Sequence, residues 1–165
     1  MAKQSAGILV YRRAATTIEV LLVHPGGPFW AKKDKGAWSV PKGEVEEGED
    51  LLEAAKREFE EETGQSVPDG ELIELGSFKR NSKQITAWAV EGNIDAAQVK
   101  SNTLSIEWPP KSGKQLEIPE VDRAAWVTLE RAPEKMHTGQ DVFILHLADK
   151  LGEALHEPPE QQSLL

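Results

Sequence analysis

The 165-residue chain contains no cysteine, which excludes disulfides and thiolate metal centres and fits a cytoplasmic setting. No apolar run approaches the ~20 residues that span a bilayer, and the N-terminus shows no signal-peptide pattern, so no membrane partner is expected. Positive charge is scarce as well: 19 Lys and Arg stand against 28 Asp and Glu, a formal net charge of −9. That balance argues against a nucleic-acid polymer as main partner, because phosphate backbones are held by clustered Lys and Arg. It leaves room for a small polyphosphate, whose charge a bound metal can meet locally. No internal repeat is present. What remains, 39% hydrophobic and 28% charged residues, describes an ordinary globule with one core. Residues 1–156 are expected to form a single domain, and the polar 157–165 a disordered tail.

The informative stretch is GEVEEGEDLLEAAKREFEEETG, residues 43–64. Its spacing predicts a helix over 49–62, with Glu49 and Asp50 in the first turn and Gly64 at the left-handed C′ position. At roughly 100° per residue, Glu58 lies about 40° from Glu62 and about 60° from Glu61, while Glu60 points away. Leu51, Ala55 and Phe59 form the adjoining stripe, so the three carboxylates border the buried face. Like charges so close disfavour ionisation unless a cation joins them. Hard oxygen donors on one helix suit Mg²⁺ or Mn²⁺, which accept substrate phosphates as further ligands. Arg57 adjoins the acids and is placed to orient one by a bidentate pair. The bland reading of the same residues is a solvated acidic helix with i,i+4 pairs.

Gly43, Glu49, Arg57, Glu58, Phe59, Glu61, Glu62 and Gly64 match the pattern G-x5-E-x7-R-E-hydrophobic-x-E-E-x-G, which resembles the box of the Nudix family. One departure is Gln65, where the family usually carries an aliphatic residue. The resemblance implies an α/β fold, the Nudix α/β/α sandwich, with a mixed β-sheet between helices. It implies a hydrolase of a nucleoside diphosphate linked to another group, with one to three Mg²⁺ ions (Mn²⁺ as an alternative) held by Glu58, Glu61, Glu62 and a carbonyl near Gly43. Several relatives carry a further glutamate ahead of a strand tryptophan. Glu120, six residues before Trp126, takes that metal-binding or catalytic role here, with Glu117 as competitor. Glu62 or Glu120 is the expected general base, and Glu61 and Arg57 complete the catalytic set, Arg57 by orienting its neighbours.

The approach to the box, W-x-x-PKG-x-x-E-x-GE, is carried by Trp38, Pro41, Lys42, Gly43, Glu46, Gly48 and Glu49 and is similar to that of diadenosine polyphosphate hydrolases. It also occurs in nucleoside-triphosphate and inositol-pyrophosphate hydrolases. The expected substrate is therefore a dinucleoside polyphosphate or a nucleoside triphosphate. The alternatives are a nucleotide sugar or ADP-ribose, or a catalytically silent nucleotide-binding module. Lys42, Trp38, Lys32 and Arg80 are candidate substrate contacts, against the plain alternative of solvated lysines and an edge-strand arginine. Phe29, Trp30 and Trp88 either cap the core or stack on a nucleobase. Homodimers are common in the family, so a homodimer stays open.

Elsewhere the chain predicts strands at 5–12, 17–24, 37–42, 71–80 and 83–92, with LSIEW at 104–108 extended and Trp126 in a further strand. Loops are expected at 24–38 and 108–115. Short and long helices are expected at 129–136 and 139–155, the latter burying Val142, Leu145, Leu147, Leu151 and Leu155. His137, His146 and His156 lack metal-site spacing and read as structural or surface residues.

Overall fold

The apolar run that begins near the N-terminus is buried without interruption from Ser5 to Tyr11, as a strand covered on both faces must be. In the computed structural model, which describes residues 3–153, this run is β1 (Lys3–Ala14). A tight turn, with Ala15 at φ 45°, leads into the antiparallel β2 (Thr17–Pro25). The helix α1 (Leu51–Thr63) then follows a short strand, β3 (Lys42–Glu44), which pairs antiparallel with β1. The hairpin β4 (Ile73–Arg80) and β5 (Lys83–Glu91) turns at Asn81, whose φ is 57°. Next come a 3₁₀ turn at Ala96–Gln98 and a separate hairpin of β6 (Thr103–Glu107) and β7 (Gln115–Pro119). The chain returns to the main sheet as β8 (Val121–Thr128) and ends in α2 (Ala132–Lys135) and α3 (Asp141–Leu151).

The main sheet runs β4-β5-β1-β2-β8, with β3 also on β1. Only β1 and β5 are parallel, so the sheet is mixed. One face carries α1 through Ala54, Ala55 and Phe59 packed on Ala6, Ile8 and Val10. The opposite face carries α3 through Phe143, Ile144, Leu147 and Ala148 packed on Leu9, Tyr11 and Leu22. The expected α/β/α sandwich is therefore the observed one. The near-continuous apolar character of β5 has the same cause: Ala87 and Ala89 face the α3 side, Val90 the α1 side.

Several boundaries differ from the sequence expectation. α1 starts at Leu51, because Asp50 has extended backbone (φ −65°, ψ 138°) and caps the helix by accepting from the Glu53 N–H. Glu49 thus lies before the helix. Residues 37–42 are not a strand: Trp38 and Ser39 make isolated bridges, and β3 begins only after Pro41, which has no N–H for a ladder. The expected loop at 108–115 is the tip of the β6–β7 hairpin, whose second strand was not anticipated. In α3 the buried positions are Phe143, Ile144, Leu147 and Ala148, while Leu145 is 51% exposed. Leu155, His156 and the tail at 157–165 lie outside the described residues.

Candidate active site

The helix α1 places Glu58, Glu61 and Glu62 on the side that meets β3. Gly43 in β3 is needed for this approach: a Cβ built there would fall inside the Glu58 carboxylate. The Lys42 N–H donates to Glu62 Oε1 at 3.1 Å, which ties the far end of the stripe to the same strand. Arg57 organises the near end. Its Nε and Nη2 grip the two oxygens of Glu49 at 2.8 and 2.9 Å, and Nη1 donates to Glu58 Oε1 at 2.8 Å. Nη2 also reaches the Glu44 carbonyl at 3.1 Å, so one guanidinium fixes the helix, the loop before it and β3 together. The bidentate partner is Glu49, freed for the role by lying ahead of the helix.

Glu120 joins this group from the residue just before β8. Its backbone is held on both sides: Glu120 N–H donates to the Asn102 carbonyl at 2.9 Å, and Gly26 N–H donates to the Glu120 carbonyl at 3.1 Å. Asn102 N–H in turn donates to the Glu61 carbonyl at 3.0 Å, which anchors this junction to the end of α1. Glu117 is exposed on the hairpin and accepts from Thr103, away from the other acids.

The charges divide into paired and strained groups. Glu49 is held down to about 2, first by the Arg57 hydrogen bond and then by the Glu46 N–H. Glu58 is raised by burial and by Glu61, against the pull of Arg57. Burial pushes Glu62 up to about 8, with Glu120 and Glu58 adding and Lys42 opposing. Glu120 is raised by burial and by Glu61, again against Lys42. Among the described residues, no three acidic or imidazole side chains converge tightly enough to hold an ion as they stand. The chemistry of the set nevertheless fits a hard divalent cation: dehydrated, mutually repelling carboxylates offer only oxygen donors and are under-neutralised. Arg57 and the Lys42 N–H each take one oxygen, of Glu58 and of Glu62 respectively.

Two cavities meet at this point. A smaller one of about 210 Å³ is lined by Lys42, Glu62, Glu120, His137 and Leu104. A larger one of about 650 Å³ is lined by Lys3, Lys42, Arg80, Lys83, His137 and Phe78. Lys42 and His137 border both. A concentration of cations in a chain of net charge −9 marks the larger cavity as suited to an anion. Lys42 and Arg80 thus come together, the latter donating to the Thr138 carbonyl at 3.3 Å. Lys32 is exposed in the loop after β2, and Trp38 is only 6% exposed, its Nε1–H bound to Asp34 at 2.8 Å. Neither lines the two cavities. Trp88 packs on the α1 side of the sheet. Phe29 is 55% exposed beneath Lys33 Nζ at 3.5 Å from its centroid, and Trp30 meets the His137 ring edge-on at 5.2 Å.

Two histidines at or near the site gave no signal in sequence. His137 sits between the cavities because its N–H donates to the Trp38 carbonyl at 2.8 Å, and burial together with Lys42 and Arg80 lowers its pKa. His24 is fully buried, with Nδ1 3.0 Å from Asp122 and Nε2 2.6 Å from the Lys33 carbonyl. Its two ring nitrogens thus join β8 to the loop after β2. No sequence spacing connects His24 with Asp122; the β2–β8 pairing does.

Comparison with known proteins places this geometry. The NUDIX domain model matches residues 1–147. The chain is 40% identical over 115 residues to the asymmetrical bis(5′-nucleosyl)-tetraphosphatase of Caenorhabditis elegans, covering 66% of this chain and 79% of that protein. It is 33% identical over 114 residues to Nudix hydrolase 7 of Arabidopsis thaliana, covering 64% of this chain and 38% of that relative. It therefore spans well under half the length of the plant protein. The crystal structure of a C. elegans Ap4A hydrolase binary complex superposes with a TM-score of 0.64 at 23% identity, covering 91% of this chain and 98% of that one. The NUDIX domain of Shewanella oneidensis NrtR complexed with ADP ribose superposes with a TM-score of 0.61 at 16% identity, covering 92% and 89%. At these identities the structures speak for the fold alone. With the family match running from the first strand into the last helix and every charged position of the box filled, the chain belongs to the Nudix family.

Proposed function

We propose that this protein is a divalent-metal-dependent hydrolase that cleaves a phosphoanhydride bond in a dinucleoside polyphosphate or nucleoside triphosphate by attack of water on phosphorus. The observation that carries this reading is the junction of an under-neutralised carboxylate cluster with a cation-lined cavity through Lys42 and His137. Glu58, Glu61, Glu62, Glu120 and the Gly43 carbonyl would hold Mg²⁺, with Mn²⁺ as substitute. When bound, such ions neutralise phosphate oxygens and lower the pKa of water. Lys3, Lys42, Arg80 and Lys83 counter the remaining negative charge of the polyphosphate. Glu62 or Glu120 takes the proton of the attacking water: both line the smaller cavity, and burial makes both more basic than an exposed carboxylate. Arg57 lines neither of these two cavities and acts by holding Glu58 and Glu49 in place. The tetraphosphatase relative supports the dinucleotide substrate.

Product analysis by mass spectrometry tests the proposal. Purified protein with Mg²⁺ in ¹⁸O-labelled water would be given diadenosine tetraphosphate, nucleoside triphosphates and ADP-ribose separately. Diadenosine tetraphosphate should yield ATP and AMP, with the label naming the attacked phosphorus. A preference for ADP-ribose would keep the mechanism and replace the substrate. A folded, metal-binding protein that turns over none of them would contradict the proposal.

A further inference from the structure

The β6–β7 hairpin stands apart from the main sheet as a two-stranded unit. Its register pairs Leu104 with Ile118 and Ile106 with Leu116, so these side chains share one face. The opposite face carries diagonal polar contacts: Thr103 donates to Glu117 at 3.0 Å, and Ser105 to Gln115 at 3.2 Å. A free hairpin of this size has no reason to be apolar on one side unless that side is covered. Leu104 and Leu116 are nonetheless 38% and 39% exposed.

The apolar face is aimed. Leu104 lines the cavity of Glu62, Glu120 and Lys42, and Ile118 lies against Gly27, where a Cβ would come within 2.7 Å of its Cδ1. The hairpin is rooted at the catalytic junction, since Asn102 and Glu120 at its two ends bond each other and the Glu61 carbonyl. Resting on the hydrolase reading above, we propose that this face seats the nucleobase of the substrate, with Leu104 and Leu116 as specificity-determining residues for nucleotide over bare polyphosphate. A base tethered to phosphates at Glu62 and Glu120 is the occupant that continuity with the site provides, and its flat apolar surface matches a pleated aliphatic face.

Methyl NMR of the full chain with Mg²⁺ tests this, using α,β-methylene ATP and inorganic tripolyphosphate as probes. The nucleotide should shift the Leu116 methyls through its ring current, whereas tripolyphosphate should shift signals around Lys42, His137 and the neighbouring Leu104 and leave Leu116 unmoved. Shifts around Lys42 and His137 with both probes, and none at Leu116, would overturn the base seat and leave the hydrolase reading standing. No shift anywhere would overturn both. Hairpin shifts that follow protein concentration instead of nucleotide would assign the face to a second copy and also overturn it. In the double variant Leu104→Asn/Leu116→Asn, the ratio of affinities for the nucleotide over tripolyphosphate should fall about 5–10-fold. An unchanged ratio would contradict the assignment.

Discussion

The backbone of Gly43 and the carboxylate of Glu58 are packed so closely that no side chain fits between them. Replacing Gly43 with alanine must therefore displace Glu58, β3 or both. The Gly43→Ala variant should lose about 10²-fold in kcat/KM, the scale expected when a catalytic group shifts by about 1 Å. The α1–β1 packing does not involve this atom, so circular dichroism should still show a folded protein. Wild-type activity in the alanine variant would show that Glu58 is free to move without consequence.

Arg57→Lys tests the geometry of the guanidinium separately from its charge. Lysine cannot reproduce the fork that grips Glu49 while also reaching Glu58 and the Glu44 carbonyl. Denaturant unfolding should show a loss of about 1.5–3 kcal/mol, the range for hydrogen bonds to charged groups. Steady-state kinetics should show kcat falling more than KM rises. A lysine variant equal to wild type in both measurements would remove Arg57 from the positioning role.

The box was legible because helical spacing alone brings Glu58, Glu61 and Glu62 together, and the flanking apolar positions say which face is buried. The sheet strands were legible for a similar reason, since β1, β2 and β5 are apolar runs bounded by turn residues. Glu120 could be reached only by resemblance, because its place depends on pairing of β8 with β2, far apart in sequence. Trp38 is an aromatic beside the box in sequence, whereas its burial and its hydrogen bond to Asp34 are tertiary facts that no local pattern carries. The apolar face of the β6–β7 hairpin was invisible for want of β7, since neither strand of a short hairpin shows its periodicity alone. Helical spacing of the leucines puts Leu145 inside, whereas the rotation of α3 that buries Phe143 and Ile144 puts it outside.

In the proposed reaction Glu62 would link metal binding to pH. In the metal-free protein its pKa stands near 8 against an ordinary 4.5, so between these values the folded state holds a proton the unfolded chain has lost. Its contribution to stability is thus favourable at low pH and is lost as pH rises through about 8. Melting temperatures of the metal-free protein should fall from pH 5 to pH 8, and Glu62→Gln should remove much of that fall. Saturating Mg²⁺, which binds the ionised form, should flatten the wild-type curve. A slope unchanged by the substitution would contradict the assignment.

His24 ties β8 to the loop after β2 through Asp122 and the Lys33 carbonyl. Its replacement by phenylalanine keeps the ring volume and strips both polar contacts, with an expected cost of about 2 kcal/mol. The loop carries Trp30, which contacts His137, so KM should rise while kcat changes less. Thermal unfolding and steady-state kinetics check this together. Full stability in the variant would show that the contacts are incidental.

In the proposed reaction the acids on α1 work on a polyphosphate through a divalent cation. Its most direct test is the initial rate of diadenosine tetraphosphate hydrolysis across a Mg²⁺ titration, for wild type and Glu62→Gln side by side. Both proteins should be folded, and the wild-type rate should rise with Mg²⁺ from no detectable value. The glutamine variant should remain about 10²–10⁴-fold slower at saturating metal. Equal rates in the two proteins, or a wild-type rate indifferent to Mg²⁺ and to its removal by chelator, would contradict the account.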